Sequence, residues 1–229
     1  GTVRLRTDQL RLHGRVMLRL MRVSLGGIGQ YLVSTSSWVV LVRLVGEFGS
    51  AAVAGYTVAI RIIIFCLMPS WGVANAAATL VGQNLGAGRP DRTVKCVRVA
   101  AGYGLMVAVA VGSLFVFVPD ALIGFFGVDD PEVLALGVEL MRYLAVSGLF
   151  VTVALAYTGG LQGTGDTKSP LYISILSQIV VPLGLCAVLD ATRGLTASDI
   201  WLAIVLGHVT RATLSVLRFR QGHWADIEV

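Results

Sequence analysis

The sequence predicts an all-α integral membrane protein, a single bundle of six transmembrane helices. Three observations predict it. Hydrophobic residues make up 55% of the 229 and charged residues only 14%, where a soluble domain carries about 25%; the mean hydropathy is +0.79. The apolar residues gather into six stretches, each reaching the roughly 20 residues that a helix needs to cross a bilayer. The Lys and Arg residues fall almost entirely on one side of those stretches, as the positive-inside rule requires.

In chain order, the leading segment RLRTDQLRLHGRVMLRLMRVS spaces Arg11, Arg15, Arg19 and Arg22 by three or four residues, with Leu10, Met17, Leu20 and Met21 between them. Residues 1–22 are read as a cytoplasmic amphipathic linker helix on the inner membrane surface, its arginines among anionic headgroups, a plain charged linker being the alternative. Residues 23–220 are assigned to the bundle, with spans at about 24–45, 51–84, 92–118, 133–160, 170–189 and 198–219, and 221–229 to a cytoplasmic tail. The second span exceeds what a bilayer requires and holds Pro69, so a long, kinked helix is expected there.

With the N-terminus inside, the cytoplasmic side collects Arg4, Arg6, Arg11, Arg15, Arg19, Arg22, Arg89, Arg92, Lys95, Arg98, Lys168, Arg218 and Arg220, thirteen against Arg193 alone outside. The outer loops carry Asp120, Asp129, Asp130, Glu132, Asp190 and Asp199 instead. Both termini are therefore expected in the cytoplasm. The net charge of +5 follows from this topology, so the basic balance does not indicate nucleic acid. Cys66, Cys96 and Cys186 are scattered, as are the histidines, and offer neither a disulfide framework nor a metal site. The chain begins with Gly1 rather than Met and is expected to be part of a longer protein.

Two Gly-rich runs invite a phosphate-binding reading. The first, TLVGQNLGAGRPDRTVK at 79–95, has Arg89 and Pro90 where a P-loop needs Lys followed by Ser or Thr. The second, GGLQGTGDTKSP at 159–170, has Thr167 where a P-loop needs Gly. Both are flanked by membrane spans, which excludes a nucleotide site. A helix-end reading fits better: Gln83, Gly86 and Gly88 in one run, and Gln162, Gly163, Gly165 and Asp166 in the other, are read as matching cytoplasmic turns. There glycine takes the backbone conformation that satisfies the last helical carbonyls, and the basic residues beyond complement the helix end.

Spans ending in LVGQNLGAGRPDR and, two helices later, GLQGTGDTKSP resemble the C-terminal six-helix half of multidrug and toxic compound extrusion (MATE) transporters. VGEFGSAAVAGYTVAIRI at 45–62, the basic leading helix and the closing RFRQGHW at 218–224 extend the resemblance over almost the whole chain. It implies one lobe of a twelve-helix antiporter in a bacterial-type inner (plasma) membrane, paired with an N-terminal six-helix lobe of the same protein. Such transporters exchange amphipathic, often cationic compounds for H+ or Na+ by alternating access, with no cofactor. The even span count agrees, since two such bundles can stand in parallel about an axis along the membrane normal. Some family members hold coupling-ion carboxylates in the first and fourth helices of this half. Here the first span has none before Glu47 and the fourth has only Glu139, so the ion is expected mainly in the N-terminal half.

Polar residues inside spans are functional candidates because burying them in hydrocarbon is costly. Ser34, Ser37, Asn75, Ser174 and Gln178 are taken as cavity-lining candidates, helix–helix hydrogen bonding being the other role open to them. Arg61, Glu139, Arg142, His208 and Arg211 are the intramembrane charge or gating candidates. Glu139 and Arg142 stand three apart on one helix face and are expected to neutralise each other, with a protonatable Glu139 as the sharper reading. His208 is either a satisfied buried histidine or a proton relay, and Arg61 either a structural cation or a gate. Two other functions compete: a flippase for lipid-linked oligosaccharides of the same superfamily, and a non-transporting membrane scaffold. An enzyme is disfavoured, since no Ser/His/Asp, HExxH or paired-carboxylate arrangement sits at a membrane interface.

Overall fold

The computed structural model describes residues 13–226; Arg4, Arg6, Leu10 and Arg11 of the leading segment and residues 227–229 of the tail lie outside the described residues. The elements are α1 (Gly14–Gly46), α2 (Ser50–Gly86), α3 (Pro90–Phe117), the short α4 (Pro119–Gly124), α5 (Pro131–Gly163), α6 (Lys168–Ser174), a π-helical turn (Ile175–Val180), α7 (Val181–Arg193), α8 (Ala197–Arg220) and a 3₁₀ turn (His223–Asp226). Six segments are long and apolar enough to cross a membrane: Ser24–Gly46, Ser50–Gly86, Pro90–Phe117, Pro131–Gly163, Lys168–Arg193 and Ala197–Arg220. They match the six stretches read from the sequence. α1 runs without a break from Gly14 into the first span, and α2 runs through Pro69 for 37 residues.

α5 is the central helix and packs on α2, α3 and α8. Lipid tails are as apolar as leucine, so helices in a bilayer associate through close backbone approach. Small residues provide that approach along the α2–α5 seam. A Cβ on Gly159 would stand 2.7 Å from the Ala74 carbonyl oxygen, and one on Gly55 would stand 2.9 Å from that of Val133. Gly163 makes the same approach to Ala78, and Gly82 to Gly163. Near the opposite end, Tyr56 stacks on Trp201 at 5.7 Å inside the main apolar core.

The ends of the helices use their sequence signals. Asp130 caps α5, accepting from the Glu132 amide at 2.8 Å, with Pro131 in the first turn. Thr196 and Asp199 form a capping box on α8, and Asp199 also pairs with Arg193 at 2.5 Å. At the basic end α2 and α5 finish alike. The Arg89 amide reaches back to the Asn84 carbonyl and Gly88 to Leu85; Asp166 reaches Leu161 and Gly165 reaches Gln162, all at 2.9–3.0 Å. Each is a Schellman ending, with Gly88 (φ 69°) and Gly165 (φ 87°) in the left-handed conformation it needs. Gly82 and Gly163 in contact place both turns at one end of the bundle. Two of the expected turn glycines have other roles: Gly163 lies in the helical seam, and Gly86 has open space around it and no positive φ.

Candidate functional site

Where the first, second, fifth and sixth spans meet lies a cavity of about 160 Å³, lined in part by Ser34, Ser37, Gln178 and His208. Its construction starts from Pro182. Proline has no amide hydrogen to offer the carbonyl four residues earlier, which is that of Gln178. The helix widens to a π turn just before it, with the Val181 amide reaching Leu176. The Ser37 hydroxyl supplies a donor from another helix, giving its hydrogen to the Gln178 carbonyl at 2.5 Å. Gly207 lets α8 close against this turn, since a Cβ there would meet the Ser177 carbonyl at 2.5 Å. π turns inside helices are frequent at functional sites.

The rest of the wall is mixed. Tyr56, Trp38 and Ile204 give aromatic and apolar surface, and Ser177 gives its hydroxyl to the Ile173 carbonyl at 2.6 Å. His208, half-buried, shares a hydrogen bond through Nδ1 with Ser147 of α5. The Gln178 side-chain nitrogen is buried without a partner among the described residues, as are Ser174 Oγ and the Nε of Arg211, three residues beyond His208. The cavity therefore offers neutral hydrogen-bonding groups from Ser34, Ser37, Gln178 and His208, and Arg211 is not part of its wall. Among the described residues no group of three or more His, Cys, Asp or Glu could hold a metal ion.

Thus Ser34, Ser37, Gln178 and His208 are brought together, and other candidates are not. Asn75 is exposed on α2, where its carbonyl accepts from Thr79 at 3.1 Å. Ser174 is buried one turn before Gln178 but does not line the cavity. Arg61 and Arg142 are exposed on the outside of the bundle. The expected Glu139–Arg142 pair does not form; Glu139 instead accepts from the Ser198 hydroxyl at 2.5 Å, because α8 brings that group closer than a residue on its own helix. Pro182, Gly207, Ser147 and Tyr56 were not read as site residues. Only Pro182 carried a local signal, a proline inside a span four residues after a polar candidate.

At the basic end, Asp166 is a structural clasp. Its carboxylate accepts from the Ser169 amide at 3.0 Å and hydroxyl at 2.6 Å, and pairs with Arg218 of α8 at 3.4 Å. Arg218 Nε also donates to Ser169 Oγ at 2.9 Å. Gln162 is exposed and donates to Gln30 of α1 at 3.5 Å. Trp224 folds back beyond α8, stacking on Phe219 at 5.0 Å and donating to its carbonyl at 2.7 Å, so this part of the expected tail is packed.

A six-span bundle with matching Schellman turns and a cavity of mixed polarity between its spans is comparable with known proteins. A family model described as MatE matches residues 28–188. The chain belongs to the MATE family. Among curated relatives, this MATE chain is 30% identical over 215 residues to the probable multidrug resistance protein NorM of Brucella suis, covering 92% of the chain and 45% of that protein. It is 27% identical over 176 residues to the NorM of Thermotoga maritima, covering 77% and 38%. The chain thus spans about half the length of these relatives. Among solved structures, a MOP-superfamily transporter from Pyrococcus furiosus superposes with a TM-score of 0.87 at 19% identity, over 97% of this chain and 50% of that one. The eukaryotic MATE transporter AtDTX14 gives 0.81 at 19%, over 92% and 47%. These likenesses establish the fold as one lobe of the MATE architecture.

Proposed function

We propose that this chain is the C-terminal lobe of an efflux antiporter that exports amphipathic, often cationic compounds in exchange for H+ or Na+ by alternating access. The observation that carries the reading is the Ser37–Gln178 cavity. At about 160 Å³ it is smaller than the 300–1,000 Å³ typical of a ligand pocket, as fits one wall of a pathway closed by a second lobe. The NorM relatives are named as probable multidrug resistance proteins, which supports drug export as the activity. The coupling ion belongs mainly to the N-terminal lobe. Glu139, within the fourth span, and Asp199, in the first turn of the sixth, are both engaged at the outer end with Ser198, Thr196 and Arg193. The protein sits in an inner membrane with both termini of this segment in the cytoplasm, as the charge bias indicates.

The test is to express the full-length protein in a bacterium lacking its own efflux pumps and follow accumulation of ethidium. Lower accumulation than in the empty-vector strain is expected, with collapse of the proton or sodium gradient abolishing the difference. Unchanged accumulation of ethidium and of other cationic dyes, at verified membrane expression, would overturn the proposal. Coupling that survives neutralising every carboxylate of the N-terminal half would overturn the placement of the ion.

A further inference from the structure

A second hollow lies apart from the Ser37–Gln178 cavity, a groove of about 720 Å³ between α2 and α3. Val73 and Leu80 of α2 form one wall and Val99 and Tyr103 of α3 the other. At the basic end the rim carries Arg92 and Lys95, with Asp91 beside them. Neither cation forms an ion pair among the described residues, not even with Asp91. From Arg92 to Tyr103 the helix rises about 16 Å at 1.5 Å per residue, close to the ~15 Å of one leaflet of a hydrocarbon core about 30 Å thick. α3 packs chiefly on α2 and α5, and its remaining face, with Tyr103, Met106, Val109 and Phe117, is exposed.

An apolar slot one leaflet deep, with two unpaired cations at its mouth, has the polarity profile of a phospholipid. A cationic export substrate would meet like charge at the rim. From this chain the groove lining offers Asp91 alone against Arg92 and Lys95, so a covering protein lobe would have to bring carboxylates of its own to offset their desolvation. Basic pockets between spans on the cytoplasmic side are known to hold acidic headgroups. We propose that the α2–α3 groove binds one anionic phospholipid of the inner leaflet, an acyl chain along Val73, Leu80 and Val99 and the headgroup phosphate on Arg92 and Lys95. The assignment rests on the membrane orientation read from the charges and not on export, so the two stand or fall separately.

Native mass spectrometry of the full-length protein in detergent tests it, with phosphatidylglycerol and phosphatidylcholine of identical acyl chains as probes. Two cationic contacts near the membrane surface should favour phosphatidylglycerol by about tenfold or more. Arg92→Gln with Lys95→Gln should bring the two lipids to near parity. Arg89→Gln with Arg98→Gln removes the same charge from outside the groove and should leave the preference standing. Ala76→Phe, which fills the groove from its exposed α2 wall, should lower binding of both lipids and decides the matter if the charge variant does not fold. Equal binding of the two lipids by the parent, or a preference unmoved by the groove variants, would overturn the proposal. So would an equal loss in the Arg89/Arg98 control, since a general surface attraction would then suffice.

Discussion

The hydroxyl of Ser37 donates to the main-chain carbonyl of Gln178 at 2.5 Å, tying α1 to the π-helical turn that precedes Pro182. A proline-released carbonyl is thereby satisfied by a side chain 141 positions away in sequence. Ser37→Ala should lower stability by about 1 kcal/mol, the net worth of one hydrogen bond, and more if the carbonyl stays dry. Pro182→Ala restores an amide donor. The double variant should then be more stable than the sum of the two single changes predicts, a coupling that a double-mutant cycle on detergent unfolding midpoints reads directly. Additive costs would mean that Ser37 and Pro182 do not serve the same carbonyl.

The glycines of the two basic-end runs should separate by role. Gly159→Leu forces side-chain atoms against the Ala74 carbonyl in the α2–α5 seam and should cost about 1–3 kcal/mol, or prevent folding. Gly165→Ala places a Cβ on a left-handed residue and should cost about 1–2 kcal/mol. Gly86→Ala, helical and in open space, should be neutral or stabilising by up to about 1 kcal/mol. Thermal midpoints of the three variants check the order, and a Gly86 variant as damaged as Gly159 would contradict the packing described.

Asp166 and Arg218 make a third contrast. Asp166 is 6% exposed and serves both as a cap and as an ion-pair partner, whereas the Arg218 side chain is 33% exposed. Asp166→Ala should cost about 1–2 kcal/mol through loss of the cap, and Arg218→Gln less than about 1 kcal/mol, because water screens the pair. Limited trypsin digestion after the exposed Lys168 should accelerate in the Asp166 variant far more than in the Arg218 variant. Equal acceleration would show that the ion pair, and not the cap, holds the loop.

The six spans were legible because hydrocarbon thickness sets a minimum apolar length, and nothing else in the chain competes for that pattern. The two Schellman turns were legible because left-handed backbone at a helix end selects glycine locally. The Glu139–Arg142 pair was misjudged for the opposite reason: spacing on one helix shows which groups share a face, but Ser198 reaches Glu139 from a different helix. The candidate site was half legible. Ser34, Ser37, Gln178 and His208 stood out as polar groups in apolar spans, while Ser147, Tyr56 and Gly207 matter only through partners on other helices.

The sequence by itself determined the membrane class, the number and limits of the spans and the chemistry of their ends, since each depends on interactions within one helix or between that helix and its solvent. Only the tertiary structure decided that Ser37 meets the carbonyl freed by Pro182, that Gly163 is a packing residue, and that Asn75, Arg61 and Arg142 lie outside the cavity. Those outcomes depend on how helices rotate about their axes and how closely they approach, and in an apolar solvent that choice rests on small-residue contacts and shared hydrogen bonds whose partners are far apart in the chain.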